Sequence, residues 1–300
     1  MDISIIGAGK WGRALFYAFS AGGNKCAISS RTPRDIEHFV PLAKALNGEY
    51  IVFSIATQHT SAFLNSHKDL LNKNSKILVA QKGVETATAR FLHEIFSEFY
   101  PKNNLCFLSG PSFAAEVAQG LPCAVVVSGY DDKSRKAWAN AFGSFIKGYT
   151  SDDVAGCEIC GAYKNVIAIA GGICEGLGLG NNARASLIAR GLVEIARFGE
   201  AFGAKQATFL GLSGAGDLFL TASSSLSRNF RVGLGLAKGR ALDEILGELG
   251  EVAEGVGTAQ AIRHLASKHG IYTPIATQIC EILKGKDVRA ALADLLKKKE

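Results

Sequence analysis

A glycine-rich turn near the N-terminus has the spacing of a dinucleotide-binding motif. Residues 7–12 have the sequence G-A-G-K-W-G, which matches G-x-G-x-x-G. The turn follows an apolar segment typical of a strand and precedes a predicted helix over residues 11–21. Gly7 would permit the tight turn, Gly9 would let the backbone approach a pyrophosphate, and Gly12 would let the helix pack close to the strand. Free N–H groups at the helix start would face the anion, so the context favours nucleotide binding over an ordinary glycine-rich turn.

The end of the second predicted strand bears on the choice of dinucleotide. An NAD-selective site usually has a carboxylate there, bonded to the ribose 2′-hydroxyl. This chain instead has Ser29-Ser30-Arg31, and a guanidinium would attract a 2′-phosphate. The pattern favours NADP slightly. NAD stays open because arginine also stacks on adenine, and a solvent-facing arginine is the alternative interpretation.

A lysine and an aspartate far apart in the sequence are candidates for proton transfer. Lys164 is followed by the apolar residues 166–170. Its ammonium group would therefore lie at a helix edge, reach solvent by snorkelling, or be held in a cleft. A lysine held in a cleft suits a general acid in carbonyl reduction, and a surface lysine is the alternative. Asp217 follows residues 214–216, whose glycines permit a sharp loop, and it would orient Lys164, cap the next helix, or do both.

The segment 227–229 has the residue types of an anion site. Ser227 is a typical helix start, so backbone N–H groups, the Arg228 guanidinium and the Asn229 amide would together cradle a phosphate. A capped, exposed helix is the alternative.

A zinc or redox site is not favoured by the cysteine spacing. Cys157-x-x-Cys160 has no second cysteine pair with matching spacing and no histidine pair. We interpret the two as small core residues of one helix, and we expect no metal.

The elements around these residues differ between the two parts of the chain. Up to about residue 150, apolar strands alternate with helices, and the predicted strands are Asp2–Ile6, Lys25–Ser29, 50–55, 76–80, 106–109 and 124–128. This alternation predicts an α/β fold with an N-terminal Rossmann-type, doubly wound, mostly parallel sheet in a dinucleotide-binding domain over residues 1–153. Residues 154–300 are predicted to form an all-helical substrate and catalytic domain. Its predicted helices include 184–202, Arg228–Ala237, 258–269 and Pro274–Leu283.

The second helix of the N-terminal domain has a predicted start and end. Thr32 would be its N-cap, with Pro33 at the first helical position and Asp35 three residues after the cap. Asn47-Gly48 would end it.

Composition limits the classes of function. Glycine makes up 34 of 300 residues, about 11% against a usual 7%, so turns or close backbone approaches must be frequent. The net charge of +6 is spread along the chain apart from a lysine run at 297–299, typical of a solvated tail. This charge distribution favours small anions over nucleic acid as binding partners.

The longest uncharged segment, residues 50–67, is too polar for a membrane span. Seven scattered cysteines and no recognisable signal peptide favour a reducing cytoplasm.

Together these motifs resemble bacterial-type NAD(P)-dependent glycerol-3-phosphate dehydrogenase over nearly the whole chain. The residues that carry the resemblance are Gly7-x-Gly9-x-Trp11-Gly12, Lys82-Gly83-Val84-Glu85, Ser109-Gly110-Pro111-Ser112-Phe113-Ala114, Cys160-Gly161-Ala162-Tyr163-Lys164-Asn165, Arg190-Gly191-Leu192, Gly214-Ala215-Gly216-Asp217-Leu218, Ser227-Arg228-Asn229 and Glu254-Gly255-Val256.

The resemblance implies reduction of dihydroxyacetone phosphate to sn-glycerol 3-phosphate, or the reverse, with NADH or NADPH and without a metal. It implies that Lys164 gives and takes the proton, with Lys82 and Asp217 as the other catalytic groups. The implied substrate contacts are Lys82, Gly110, Ser112, Lys164, Asp217, Ser227, Arg228 and Asn229. The implied cofactor positions are Gly7, Gly9, Lys10, Trp11, Gly12, Arg31, Lys82, Ala114, Arg228, Val252 and Glu254. The product would feed phospholipid synthesis, and a homodimer is left open.

Some positions depart from the family pattern. Lys10 stands where the family usually has serine, which adds a cation near the pyrophosphate. The stretch from Arg31 to Tyr50 is much shorter than usual and lacks the customary excursion, so a cofactor contact from it would be missing. Two alternatives remain from the sequence: another two-domain reductase such as a β-hydroxyacid dehydrogenase, and a non-catalytic dinucleotide sensor. The presence of both Lys164 and Asp217 counts against the sensor.

Overall fold

The computed structural model describes residues 1–250 and 252–297 of the chain. The chain divides into two compact units. Unit 1 comprises Met1–Lys82 and Phe91–Glu158, and unit 2 comprises Gly83–Arg90 and Ile159–Glu300. Lys298 and Lys299, which belong to the predicted solvated tail, lie outside the described residues.

Unit 1 is built on a mostly parallel sheet. The strands, numbered along the chain, are β1 (Asp2–Ile6), β2 (Lys25–Ser29), β3 (Tyr50–Phe53), β4 (Lys76–Val79), β5 (Val84–Glu85), β6 (Arg90–Phe91), β7 (Leu105–Ser109), β8 (Cys123–Gly129) and β9 (Ile146–Ser151). The main sheet has the order β2-β1-β3-β4-β7-β8-β9, and β5, which belongs to unit 2, forms a separate short pair with β6. Neighbours in the main sheet run parallel except β7 and β8. The predicted doubly wound sheet is therefore confirmed.

Helices fill the connections of unit 1 and dominate unit 2. Those with residues in unit 1 are α1 (Lys10–Ala21), α2 (Leu42–Leu46), α3 (Thr60–Ser66), α4 (Leu92–Phe96), α5 (Ala114–Val117) and α6 (Asp132–Asn140). Helix α7 (Val154–Gly176) begins in unit 1 and continues in unit 2. The helices of unit 2 are α8 (Gly180–Glu200), α9 (Gln206–Leu210), α10 (Asp217–Ala222), α11 (Arg228–Ala237), α12 (Leu242–Leu249), α13 (Glu254–Lys268), α14 (Pro274–Leu283) and α15 (Val288–Leu296). The predicted helical second domain is thus confirmed as a fold.

The sheet of unit 1 is buried on both faces because its strands carry apolar residues on both. Ile5 and Val52 belong to one core cluster, whereas Ile51 and Phe53 belong to a second. Parallel strands connected by crossover helices need this pattern, since helices cover each face. The sheet therefore provides a rigid base whose strand ends position the loops that follow them.

The predicted second helix begins in the wrong place. Helix α2 starts only at Leu42, with Pro41 as its N-cap, and Thr32 does not cap a helix. The intervening chain follows β2 instead, because the Ile28 N–H donates to the carbonyl of His38 and the Val40 N–H donates to the carbonyl of Ile28. The predicted end is right, since Asn47 is the C-cap. Strand β9 was not predicted because only its first residue is buried.

Helix α7 is long and apolar enough to cross a membrane by length and composition. The buried core helix of a globular protein meets the same test, and 94% of its most apolar window is buried inside the protein.

Candidate active site

The glycine turn lies at the carboxyl ends of β1 and β3, where the chain turns to opposite sides of the sheet. Open α/β sheets bind ligands at such a switch point. Gly7 has φ of +115°, and a Cβ there would lie 2.7 Å from the carbonyl oxygen of Ser54. A Cβ on Gly12 would overlap the carbonyl oxygen of Gly7. The structure thus requires glycine at both positions.

Gly9 differs from these two because it faces open space. It is the N-cap of α1 with an extended backbone, and no atom lies within 4 Å of the position of a Cβ. Helix α1 begins with the exposed Lys10 and has no carboxylate in its first turn. The N–H groups of a helix start, a cation and free space fit the pyrophosphate of a dinucleotide.

Ser54 is a residue of this turn that the sequence analysis did not identify. Its hydroxyl donates to the carbonyl oxygens of Gly7 at 3.1 Å and Ile6 at 3.3 Å, so it ties the turn to the end of β3. Its position directly after a buried strand was the available indication.

The other predicted cofactor residues of unit 1 lie on three different elements. The Trp11 indole N–H donates to the Ala80 carbonyl at 3.0 Å, so this group binds the end of β4. Arg31 is exposed two residues after β2, and Ala114 begins α5, which packs against α1.

Lys82, Gly110 and Ser112 converge on one carbonyl group. The Lys82 ammonium donates to the Gly110 carbonyl at 3.0 Å, and the Ser112 hydroxyl donates to the same oxygen at 3.2 Å. Gly110 has φ of +99°, which turns the chain at the end of β7. Three predicted substrate residues from two strand ends are therefore brought together within unit 1.

The predicted lysine and aspartate form a buried pair in unit 2. Lys164 on α7 is 7% exposed and Asp217 is fully buried. The Lys164 ammonium donates to Asp217 Oδ1 at 2.5 Å and to the hydroxyl of Thr221 at 2.9 Å. Thr221 was not predicted, but it lies one turn after Asp217 on α10 and so shares its face. The surface-lysine alternative is wrong.

A glycine-rich π-turn aims the aspartate. Residues Leu212–Gly216 form this turn immediately before α10, and a Cβ on Gly214 would overlap the backbone of Phe209. Gly216 is the N-cap of α10, and Asp217 is its first helical residue. The Asp217 carboxylate accepts from the Lys164 ammonium and also from the Thr221 hydroxyl of its own helix at 3.4 Å.

Glu194 on α8 is a second buried carboxylate that the sequence analysis did not identify. It is 2% exposed, and its Oε1 accepts a hydrogen bond from the Tyr163 hydroxyl at 2.8 Å. Burial raises the pKa of Glu194, although its hydrogen bonds and Arg197 oppose the rise. Burial beside this carboxylate also raises the pKa of Tyr163. An acidic residue between apolar neighbours in a predicted helix was the available indication.

The predicted phosphate segment forms the start of α11. Ser227 is its N-cap and accepts a hydrogen bond from the Phe230 N–H at 3.2 Å. Arg228 is half-buried, and Asn229 Oδ1 accepts from the Gly255 N–H at 2.9 Å. The segment is therefore both a helix cap and a polar cluster tied to α13.

The remaining predicted positions are placed as follows. Val252 is 47% exposed and lies just before α13, whose first residue is the half-buried Glu254.

Cys157 and Cys160 are buried, free cysteines of α7. Within the described residues, no group of three or more His, Cys, Asp and Glu side chains is arranged to hold a metal ion.

Unit 1 has a Rossmann-type sheet with a glycine turn at its switch point, and unit 2 is helical with a buried Lys–Asp pair. These features define a class of two-domain dinucleotide-dependent oxidoreductases. Comparison with known proteins narrows this class. Residues 28–135 match the family model of the NAD-dependent glycerol-3-phosphate dehydrogenase N-terminus, and residues 153–293 match that of its C-terminus.

Full-length relatives agree with these matches. The chain is 57% identical over 300 residues to glycerol-3-phosphate dehydrogenase [NAD(P)+] of Campylobacter jejuni, covering all of both chains. It is 53% identical to the protein of that name from Sulfurimonas denitrificans, covering 98% of each. The crystal structure of glycerol-3-phosphate dehydrogenase from Coxiella burnetii superposes with a TM-score of 0.92 at 33% identity, covering 99% of each chain. The chain belongs to the NAD-dependent glycerol-3-phosphate dehydrogenase family.

Proposed function

We propose that this protein reduces dihydroxyacetone phosphate to sn-glycerol 3-phosphate with NADH or NADPH, reversibly, and so supplies glycerophospholipid synthesis. The observation that carries the proposal is the buried Lys164 ammonium, which donates to Asp217 at 2.5 Å and to Thr221 at 2.9 Å. An ammonium held in this way is a positioned proton donor, the group that carbonyl reduction requires.

Lys164 and its partners perform the proton transfer in this proposal. The reduced cofactor, when bound, supplies a hydride to C2 of the substrate. Lys164 Nζ donates a proton to the C2 oxygen as negative charge develops there, and it takes the proton back in the reverse direction. Asp217 and Thr221 hold Nζ in place. Lys82 is the third proposed catalytic group.

The substrate phosphate is assigned to the start of α11. Ser227, Arg228 and Asn229 would hold it through the guanidinium, the side-chain amide and the N–H groups of a helix N-terminus. Gly110 and Ser112 are the other proposed substrate contacts. Binding energy from a remote phosphate is then available to align the reacting carbonyl.

The cofactor is assigned chiefly to the glycine turn. Gly7, Gly9 and Gly12 shape the backbone around the pyrophosphate, Lys10 adds a charge, and Arg31 would meet a 2′-phosphate or the adenine. The other assigned cofactor positions are Trp11, Lys82, Ala114, Arg228, Val252 and Glu254. We accordingly assign dinucleotide binding to a domain of residues 1–153 and substrate binding and catalysis to residues 154–300.

The setting of the enzyme is proposed on chemical grounds. Seven free cysteines, six of them buried, support a reducing cytoplasm. The modest net charge supports small phosphorylated anions rather than nucleic acid as partners. Exposed apolar side chains of unit 2, such as Leu210 and Phe219, support a homodimer, which sedimentation equilibrium would test.

Purified protein tests the reaction directly. Loss of absorbance at 340 nm is followed with NADH or NADPH, each with dihydroxyacetone phosphate or with a panel of β-ketoacids. We expect rapid oxidation only with the phosphorylated ketone. Turnover confined to the β-ketoacids would instead identify a β-hydroxyacid dehydrogenase, and cofactor binding without oxidation in any mixture would identify a dinucleotide sensor.

A further inference from the structure

We infer that Tyr163 and Glu194 are positioning residues that hold Lys164 in its productive place. Tyr163 directly precedes Lys164 on α7, and its hydroxyl donates to Glu194 Oε1 at 2.8 Å. This inference rests on the proposed function, because it assigns a role relative to Lys164 as proton donor.

Glu194 joins three helices of unit 2. From α8 it accepts hydrogen bonds from the Tyr163 hydroxyl on α7 and from two backbone N–H groups of α14, Ile275 at 2.9 Å and Ala276 at 2.8 Å. A carboxylate accepts only, and all three partners donate, so the arrangement matches the ionised side chain.

The contact with α14 gives Glu194 a fixed position. The first N–H groups of a helix have no partner within the helix. Helix α14 begins with Pro274, and its N-cap, Thr273, makes no capping hydrogen bond. Glu194 therefore caps α14 from outside, where the helix dipole also favours a negative charge. A carboxylate fixed by two backbone groups is a rigid acceptor for the Tyr163 hydroxyl.

The tyrosine transmits this constraint to the catalytic lysine. Successive helical residues differ by about 100° around the axis, so Tyr163 and Lys164 leave α7 on different faces. Fixing the Tyr163 hydroxyl limits the rotation of α7 about its axis. A rotation of ~20° would move a group at the ~6 Å outer radius of a helix by about 2 Å. Such a shift exceeds the tolerance of the 2.5 Å contact between Lys164 and Asp217.

Tight packing around Tyr163 restricts the movement of its side chain. Tyr163 is fully buried, and its ring packs edge-on against Phe198 with 5.3 Å between centroids. Loss of the hydroxyl alone would leave this packing intact, so Tyr163→Phe isolates the hydrogen bond from the volume of the side chain.

The test compares Tyr163→Phe with Tyr272→Phe, which removes a hydroxyl from a ring that is 45% exposed in the same unit. Because displacement of a reacting group by ~1 Å costs on the order of 100-fold, we expect Tyr163→Phe to lower kcat about 10-fold or more. The KM for dihydroxyacetone phosphate and for the cofactor should stay within two-fold. Tyr272→Phe should keep wild-type kcat. A Tyr163→Phe enzyme with wild-type kcat, or with its loss confined to KM, would overturn the inference.

A double-mutant cycle with Glu194→Gln tests whether both residues act through one link. The Gln amide replaces one carboxylate oxygen with an NH₂ donor, so one of the two N–H groups of α14 loses its acceptor and the rigid arrangement is lost. Glu200→Gln, at the exposed end of α8, is the matched control. We expect the double variant to lose no more kcat than the worse single variant. Multiplicative losses would show independent effects and contradict the link.

The outcomes separate this inference from the proposed function. If wild-type protein does not reduce dihydroxyacetone phosphate, the function fails. If it does, and Tyr163→Phe retains kcat while only its melting temperature falls, the function stands and the positioning role fails. If Glu194→Gln does not fold, the Tyr163→Phe result alone decides.

Discussion

In unit 1 the glycine turn is shaped by backbone geometry, whereas in unit 2 the Lys164–Asp217 pair is held by buried side chains on different helices. The glycine turn works through the absence of side chains at Gly7 and Gly12, where a Cβ would meet main-chain atoms. The pair in unit 2 works through the burial of Lys164 and Asp217. In the proposed function, the first arrangement would offer N–H groups to an anion, and the second would offer a proton from Lys164 Nζ.

The difference shows how each kind of site resists change. Backbone sites depend on local spacing, so one added methyl group at Gly7 or Gly12 would meet main-chain atoms. Side-chain sites depend on the packing of distant segments, and Lys164 and Asp217 are 53 residues apart. A variant in the glycine turn should therefore affect cofactor binding, whereas one at the buried Lys164–Asp217 pair should affect turnover.

The largest expected effect is that of Lys164→Ala. Loss of a positioned general acid should lower kcat by about 10²–10⁴-fold, while cofactor binding, measured by fluorescence titration, stays within two-fold. Lys238→Ala, at the exposed C-cap of α11, is the control. Undiminished turnover would refute the proton-transfer role.

Gly12→Ala should disrupt the glycine turn of unit 1 and so weaken cofactor binding. Its Cβ would overlap the Gly7 carbonyl oxygen, so we expect a lower melting temperature and a KM for the cofactor raised by more than about 10-fold. Gly9→Ala sharpens the test because its Cβ enters open space. Gly9→Ala should keep the wild-type melting temperature yet weaken cofactor binding. An unchanged KM for the cofactor in both variants would contradict the pyrophosphate assignment.

Arg228→Ala should act on substrate binding. Loss of a charge-assisted contact with phosphate should raise the KM for dihydroxyacetone phosphate about 10–100-fold. Arg231→Ala, an exposed position one turn later on α11, should leave KM unchanged. If the two variants behave alike, the phosphate lies elsewhere.

Arg31→Ala should change only the preference between cofactors. If its guanidinium meets the 2′-phosphate, kcat/KM for NADPH relative to NADH should fall about 3–10-fold. The exposed Arg34→Ala serves as control. An unchanged ratio would leave Arg31 without a role in selectivity.

The smallest expected effect concerns an ion pair of unit 1. His93 Nδ1 lies 2.5 Å from Glu158 Oε2, and this partner raises the pKa of His93 above 6.5 despite burial, with Glu94 adding to the rise and Lys102 opposing it. The resulting stability is complete below the unfolded pKa and is lost as the pH rises through the folded value. Between pH 6 and pH 8.5, the wild-type melting temperature should fall about 1–3 °C more than that of His93→Gln. If the melting temperatures of wild type and His93→Gln change with pH in the same way, the His93–Glu158 pair does not contribute to stability.

Sequence reasoning performed best where the determinants were local. The ends of α11 and α14 were predicted to the residue, because Ser227 caps the first and Pro274 begins the second. It failed at Thr32, where a strong local capping pattern was overridden by pairing of the following chain with β2. It also passed over Ser54, Thr221 and Glu194, whose partners lie on other elements.

The sequence by itself determined the parallel sheet and the glycine turn, because periodicity and short-range sterics depend on neighbouring residues. It also named Lys164, Asp217 and Arg228 as candidates. Only the tertiary structure decided that Lys164 is buried against Asp217 and Thr221, and that Glu194 joins Tyr163 to α14. A buried charge is tolerated only where packing brings it a partner, and packing depends on the whole fold.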